Sequence, residues 1–414
     1  MVVTAVLWLA GPVDADRLRA RLAERLVGAH PRFRSLVRPR HVPLLPPDWV
    51  PDPAFDLDRH LTVVHLDDGG DGALERLVGD LLEQRLDPAT ASPWQLVLVH
   101  GYRPDPAAAP RSVLVGRLHH ALADGAALVQ VLLDLTDGPA AAAPAPSRPP
   151  RSIARLAGGL ALAVPVTTVR LLLMPREPRT PLRGRLGVPK DAAWTGPRPL
   201  AQVKAAATAH GATVNDVLLA AVAGGFARYL GRRRTPLPAR LRVFVPVDLS
   251  AGDPRLGNRF GLLPLRLPVA AQGPAERVRR VAAATRAAKR SPVPAATFVL
   301  IGVLGVVPDP VRRLVVRVLG SKATAIVTNV PGPREQLTLA GVPVDGIAFW
   351  VPQAAAVGVG VSLFSYDGTV RVGVAADAGL VPDAQQLADA LDAELSELLR
   401  DTPSAGNSGQ GPRV

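Results

Sequence analysis

The sequence contains no cysteine. Structural disulfides, cysteine-ligated zinc and thiol nucleophiles are therefore excluded. Aromatic residues make up only 4% of the chain and no nucleic-acid-binding module is recognisable, so a nucleic-acid partner would rest on charge alone and is not expected. Long apolar runs are also missing. None reaches the ~18 residues that a spanning helix needs. The nearest, Leu156 to Val169, is interrupted by Pro165 and bracketed by Arg155 and Arg170. The apolar start MVVTAVLWLAGPVDADRL has no charged stretch before it, which argues against a secretory signal. The expectation is a cytoplasmic protein, peripheral at the inner membrane face if it meets a membrane at all.

What is present is a chain of 414 residues, 48% hydrophobic, enough for two or three domains around a large core. The net charge of +13 is uneven. Between Arg148 and Lys204 stand eleven Lys or Arg and two acids, Glu177 and Asp191, a net of nine positives (11 − 2). Such a stretch suits a phospholipid leaflet, a CoA phosphate or a nucleic acid. A solvated arginine-rich linker has the same composition.

The first 137 residues alternate strand-like and helix-like patterns. Val2 to Leu9 reads as a strand. Asp14 can cap a helix with Leu18, Leu22 and Leu26 on one face. SVLVGRLHH (Ser112 to His120) reads as a strand, and AALVQVLLDL (Ala126 to Leu135) as a buried helix. Residues 138–193 begin with GPAAAAPAPSRPP, too low in complexity to build a core, and continue as a basic, apolar crossover. Residues 194–401 read as a second unit. A helix over Ala201 to Gly211 stops at the glycine. Thr213 or Asn215 can cap the next helix, NDVLLAAVAGGFARYL. LRVFVPVDL, GLLPLRLPV, ATAIVTNV, GIAFWVPQ, GVGVSLFSY and TVRVGVAAD follow as strands, and Asp383 can cap a last helix. Residues 402–414 read as a disordered tail. Strands and helices mix in both halves, so the fold class is α/β or α+β.

The chemistry lies in HHALADG, His119 to Gly125. The chain holds only eight histidines, and two are adjacent here. A strand ending at His120 presents an imidazole at a sheet edge, where loops build sites. The ALADG turn can bring Asp124 back towards the strand, and Gly125 permits backbone geometry closed to other residues. A neutral imidazole is suited to taking a proton from a hydroxyl. His120 would then act as general base, and no acyl-enzyme is required. Adjacent strand residues point to opposite faces, which makes His119 the structural partner. A buried hydrogen-bonded pair is the plain alternative. A zinc site would need further ligands, and no supporting cluster is visible.

HHALADG resembles the HHxxxDG signature of the CoA-dependent acyltransferase superfamily. Three further segments resemble the wax ester synthase/diacylglycerol acyltransferase branch. These are TVNDVLLAAVAGGFARYL, with Asn215 and Asp216; VPVDLS followed by LGNRFG, with Asn258; and TNVPGPREQLTLAGVPV, with Asn329, Pro331, Gly332 and Pro333. The closing SYDGTVRVGVAADAGLVPD is similar to that family's C-terminal region. The likeness runs from about residue 3 to residue 400. Two departures stand out. The family opens with a Pro-Leu-Ser type segment upstream of the first strand, whereas this chain begins inside that strand, so an upstream segment is expected to be missing. The family's Pro-Leu-Trp motif reads SPWQ here, with Pro93 and Trp94 adjacent.

The resemblance implies two chloramphenicol acetyltransferase-like domains, each a mixed sheet flanked by helices, with a tunnel between them and His120 at its middle. It implies acyl-CoA as donor, diacylglycerol or a long-chain alcohol as acceptor, no metal and no cofactor, and a membrane or lipid-droplet surface as a possible location. Asn215 can stabilise an oxyanion or simply cap its helix. Asp216 complements the helix dipole. Arg334 can meet a CoA phosphate. Leu156 to Met174 can lie in a membrane interface or pack over the core. Two other functions remain open at this point: a condensation-type enzyme using a carrier-bound thioester, and a non-catalytic lipid- or CoA-binding paralogue.

Overall fold

The computed structural model describes residues 1–38, 47–122, 125–138, 164–249, 259–353 and 357–400. β1 (Val2–Leu9) leads into α1 (Ala15–Arg21), whose first turn is capped by Asp14 accepting from the Arg17 N–H at 2.7 Å. A π-helical turn, Leu22–Gly28, continues α1, and Leu18, Leu22 and Leu26 are all buried, as their spacing predicts. β2 (Ser35–Arg38) and β3 (Asp48–Pro51) form a small hairpin-like pair. β4 (Leu61–His65), α2 (Asp71–Glu83), β5 (Trp94–Tyr102), β6 (Arg111–His119) and α3 (Gly125–Leu135) complete the first half.

The chain crosses over through α4 (residues 164–173) to β7 (Lys190–Trp194) and β8 (Arg198–Pro199). α5 (Leu200–Ala209) ends where Gly211 takes a φ of +58°, a stop that glycine accepts without strain. α6 (Val214–Arg232), β9 (Leu241–Asp248), β10 (Phe260–Leu267), α7 (Pro274–Lys289), α8 (Val293–Leu304) and α9 (Asp309–Gly320) follow. β11 (Ala325–Pro331), β12 (Thr338–Leu339), β13 (Val342–Trp350), β14 (Val359–Tyr366), β15 (Thr369–Asp377) and α10 (Ala384–Arg400) close the described chain.

Two mixed sheets organise these elements. The first runs β12-β13-β1-β6-β5-β4, with β4 parallel to β5 and the other neighbours antiparallel. The second runs β10-β9-β11-β14-β15-β7, with β8 also on β15, and β11 parallel to both its neighbours. Helices α5, α6, α7 and α10 bury the second sheet's far face, where α6 is apolar nearly all round.

The sequence boundaries differ from this arrangement in two places. β13 belongs by position to residues 194–401, yet it pairs with β1 from Thr4↔Trp350 onward and so completes the first sheet. β7 falls inside the expected linker but pairs with β15. Local patterning reports that a segment is a strand and cannot report its partner, which is set by long-range packing. The Pro/Ala-rich stretch and the tail fall mostly or wholly outside the described residues. No described helix is long and apolar enough to cross a membrane.

Candidate active site

Strand alternation places His120. Along β6, Leu114, Gly116 and Leu118 line a cavity between the two sheets, and His120 continues that row just past the strand end. The backbone holds it there: the His120 N–H donates to the Met1 carbonyl at 2.8 Å. The chain then turns, with the Leu122 N–H donating to the His119 carbonyl at 2.9 Å. The strand ends one residue earlier than its apolar pattern suggests, because the turn begins at His120 itself.

His119 faces the other way, among the buried residues behind the sheet. Its Nε2 lies 2.9 Å from the Met1 amino nitrogen and its Nδ1 accepts from the Ala121 N–H at 3.2 Å. Burial, and then the neighbouring amino group and His120, hold its pKa down at about 4. His119 is thus neutral at ordinary pH and braces the turn that carries His120.

The cavity measures about 380 Å³. Val3, Ala5 and Leu7 of β1, the even row of β6, Ile347 and Phe349 of β13, and one face of α3 make its wall apolar. The polar lining is His120 from the first half, and Asp248, Thr328 and Asn329 from the second. Phe260 of β10 stands with its ring 5.5 Å from that of His120. A mostly apolar cavity that also carries an imidazole and an amide suits a long hydrocarbon chain whose reactive carbonyl or hydroxyl sits beside those polar groups.

Other expected site residues divide between lining and support. Trp94 lines the cavity; its indole N–H donates to the Phe33 carbonyl at 2.7 Å and its ring stacks on His60 at 4.5 Å. Burial lowers the pKa of His60, so the stack is neutral. The Pro93 carbonyl accepts from the His119 N–H at 2.9 Å, which ties the SPWQ segment directly to the histidine strand. Asn329 and Pro331 line the cavity. Gly332 does not; a Cβ there would meet the Phe364 ring at 2.4 Å, so glycine is needed to seat the turn on β14.

At the start of α6 the cap is Thr213, not Asn215. Asp216 is buried and closes a capping box, its carboxylate accepting from the Thr213 N–H at 2.9 Å and the Thr285 hydroxyl at 2.6 Å. That carboxylate is fully occupied in support, and neither it nor Asn215 lines the cavity. Asn215 instead accepts from the Asn329 amide at 3.1 Å. Gly125 opens α3. Asp124 and Asn258 lie outside the described residues. Sequence reading passed over Asp248, Thr328, Phe260 and Gly116. Gly116 was legible, since it shares the alternating face of His120; the other three face the cavity only through pairing of the second sheet.

Residues 2–174 match the wax ester synthase/diacylglycerol acyltransferase catalytic domain, and residues 256–399 match the WS/DGAT C-terminal domain. A putative diacylglycerol O-acyltransferase of Mycobacterium tuberculosis is 30% identical over 96% of this chain and 86% of its own length. A probable diacylglycerol O-acyltransferase from the same species is 28% identical over 96% of this chain and 91% of its own. Among solved structures, the wax ester synthase/diacylglycerol acyltransferase from Marinobacter aquaeolei VT8 aligns with a TM-score of 0.68 at 23% identity, covering 97% of this chain and 95% of that one. A condensation domain of the calcium-dependent antibiotic synthetase aligns with a TM-score of 0.64 at 18% identity, over 97% and 92% of the two chains. The last two likenesses establish the shared fold.

Proposed function

The chain belongs to the wax ester synthase/diacylglycerol acyltransferase family and is an O-acyltransferase, and we propose that His120 is its general base, with long-chain acyl-CoA as donor and diacylglycerol or a long-chain alcohol as acceptor. The observation that carries this reading is that His120 lines a mostly apolar cavity whose few polar residues include Asn329. The imidazole takes the acceptor's hydroxyl proton as the oxygen attacks the thioester carbonyl. The new C–O bond forms, the C–S bond breaks, and the proton passes to the leaving CoA thiolate. No metal or prosthetic group enters the reaction.

Asn329 takes the oxyanion role for which Asn215 was a candidate. Of the two only Asn329 lines the cavity, and Asn215 holds its amide. His119 and the Pro93–Trp94 segment position the turn, Pro331 forms part of the wall, and Gly332 seats the turn that follows it on β14. By likeness to the family motif, Asp124 and Gly125 belong with His119 and His120 to the catalytic segment. Acyl-CoA and acceptor reach His120 by separate routes, so a charged nucleotide and an apolar alcohol need not share an entrance. The protein works in the cytoplasm against a membrane or lipid-droplet surface.

The test is thiol release from palmitoyl-CoA with diacylglycerol or hexadecanol, with the ester product measured directly. Acceptor-dependent release is expected from wild type. His120→Ala should lose it by roughly 10²–10⁴-fold while remaining folded. A fully active His120→Ala variant would overturn the general-base assignment. Folded wild type inactive with both acceptors would overturn the substrate assignment and direct attention to carrier-bound thioesters.

A further inference from the structure

The second half carries apolar helices that its own core does not use. In α8, only Pro294, Ala296 and Thr297 of the first turns are buried. There Thr297 accepts from the Leu262 N–H at 2.8 Å and anchors the helix to β10. Of the remainder, FVLIGVL, Phe298 and Val303 are exposed and the other apolar side chains are half-buried. In α9, Gly320 is the only buried residue. Yet Val311, Leu314, Val315, Val318 and Leu319 follow the i, i+3, i+4, i+7, i+8 spacing of an amphipathic helix. Leu314 is 59% exposed.

α4 extends this surface. Leu173 is 78% exposed, with Val166, Val169 and Leu172 exposed beside it. The C-terminal ends of α4 and α9 meet: the Lys322 ammonium donates to the Met174 carbonyl at 2.5 Å and the Glu177 N–H to the Ser321 carbonyl at 3.2 Å. Single exposed apolar residues are ordinary, but several on α4 and α9, whose ends meet, and on α8, which α9 follows after a short turn, mark an interaction surface.

Charge identifies the occupant. The same helices and their flanks carry Arg170, Arg176, Arg312, Arg313 and Arg317 against two acids, Asp309, which is paired with Arg312, and Glu177, which is buried against Arg242. The core of a protein interface is depleted in charge, whereas interfacial helices place arginines beside an apolar stripe. We propose that α8, α9 and α4 form a docking face for an anionic phospholipid bilayer. Because α8 rests on β10, whose Phe260 contacts His120, docking brings the cavity's second-sheet side to the lipid that holds the acceptor. This rests on the lipid-acceptor reading above, and adds the face, its orientation and its dependence on lipid charge.

The test is co-sedimentation of the full chain with phosphatidylcholine vesicles, with and without phosphatidylglycerol. Wild type should bind the anionic vesicles more tightly. Val311→Glu/Leu314→Glu should lower the partition coefficient at least tenfold. Arg312→Gln/Arg313→Gln/Arg317→Gln should remove most of the anionic preference, at about fivefold per arginine. Val188→Glu, at an exposed apolar residue outside the three helices, should change nothing. All these positions are partly or wholly exposed, and unchanged thermal midpoints would show that the variants fold.

Binding that ignores lipid charge, or that survives the α9 substitutions, overturns the proposal. So does a wild-type dimer that the Val311→Glu/Leu314→Glu variant dissociates, since a second copy would then cover the face. Charge-dependent binding lost in the α9 variants sustains it. Acyl transfer to a short, water-soluble alcohol separates this proposal from the catalytic one. Retention of that activity in the α9 variants sustains a docking role, and wild type that binds vesicles but transfers no acyl group overturns only the catalytic reading.

Discussion

Gly116 shows how one residue can set substrate range. It faces Ala5 across the β1–β6 pairing, and both line the cavity, so two small side chains stand together in the wall. A Cβ at Gly116 would meet the flexible tip of Leu96 at 3.2 Å, so a larger side chain can enter by displacing side chains rather than backbone. Gly116 lies four residues from His120, or ~13 Å along an extended strand. Each methylene advances ~1.3 Å, so the blockage falls about ten carbons from the reacting carbonyl. Gly116→Val should therefore lower kcat/KM for palmitoyl-CoA at least tenfold relative to octanoyl-CoA. Equal loss for both lengths would show that the acyl chain does not run past this strand. His120 itself was legible from its motif and strand alternation. The roles of Asn215 and Asp216 were not, because adjacent helix residues differ in what they face and only the packed helix decides it.

The elements were read with unequal success for physical reasons. Strong local signals translated directly: Asp14 caps α1, Gly211 ends α5, and β14 and β15 occupy the runs expected of them. In the α7–α9 region, α8 is apolar on all sides and gives no core-facing pattern, whereas the helical spacing of α7 and α9 was passed over. At the start of α6, the capping box and the Thr285 hydroxyl fully engage a buried carboxylate. Asp216→Ala should cost about 2–4 kcal/mol, combining a lost cap with donors left unpaired. The denaturant midpoint should fall with the slope unchanged. A wild-type midpoint with damaged catalysis would reverse the assignment and return Asp216 to the site.

At the scale of the molecule, the two sheets are stitched by exchanged strands and a tryptophan cluster. Trp350, carried by β13 into the first sheet, donates its indole N–H to the Ala193 carbonyl of β7 at 3.1 Å. Trp194 lies between Trp8 and Trp350, with ring centroids 5.4 and 5.7 Å away. Gly79 lets α2 approach β7, where a Cβ would meet the Lys190 carbonyl at 2.8 Å. Neither half therefore holds a complete core. A fragment of residues 1–193 should fail to give a cooperative unfolding transition alone, and should become soluble when co-expressed with residues 194–414. A stable, monomeric 1–193 fragment would show that β13 is dispensable.

The sequence by itself determined the mixed fold class, the histidine motif and the segments carrying it, because these depend on local periodicity, turn chemistry and residue type. Only the tertiary structure decided which strands pair, that Asn329 rather than Asn215 lines the cavity, and that α8 and α9 are left with apolar surface to spare. Those outcomes depend on contacts between residues a hundred or more positions apart, where a strand's partner and a helix's covered face are chosen by the packing of the whole chain.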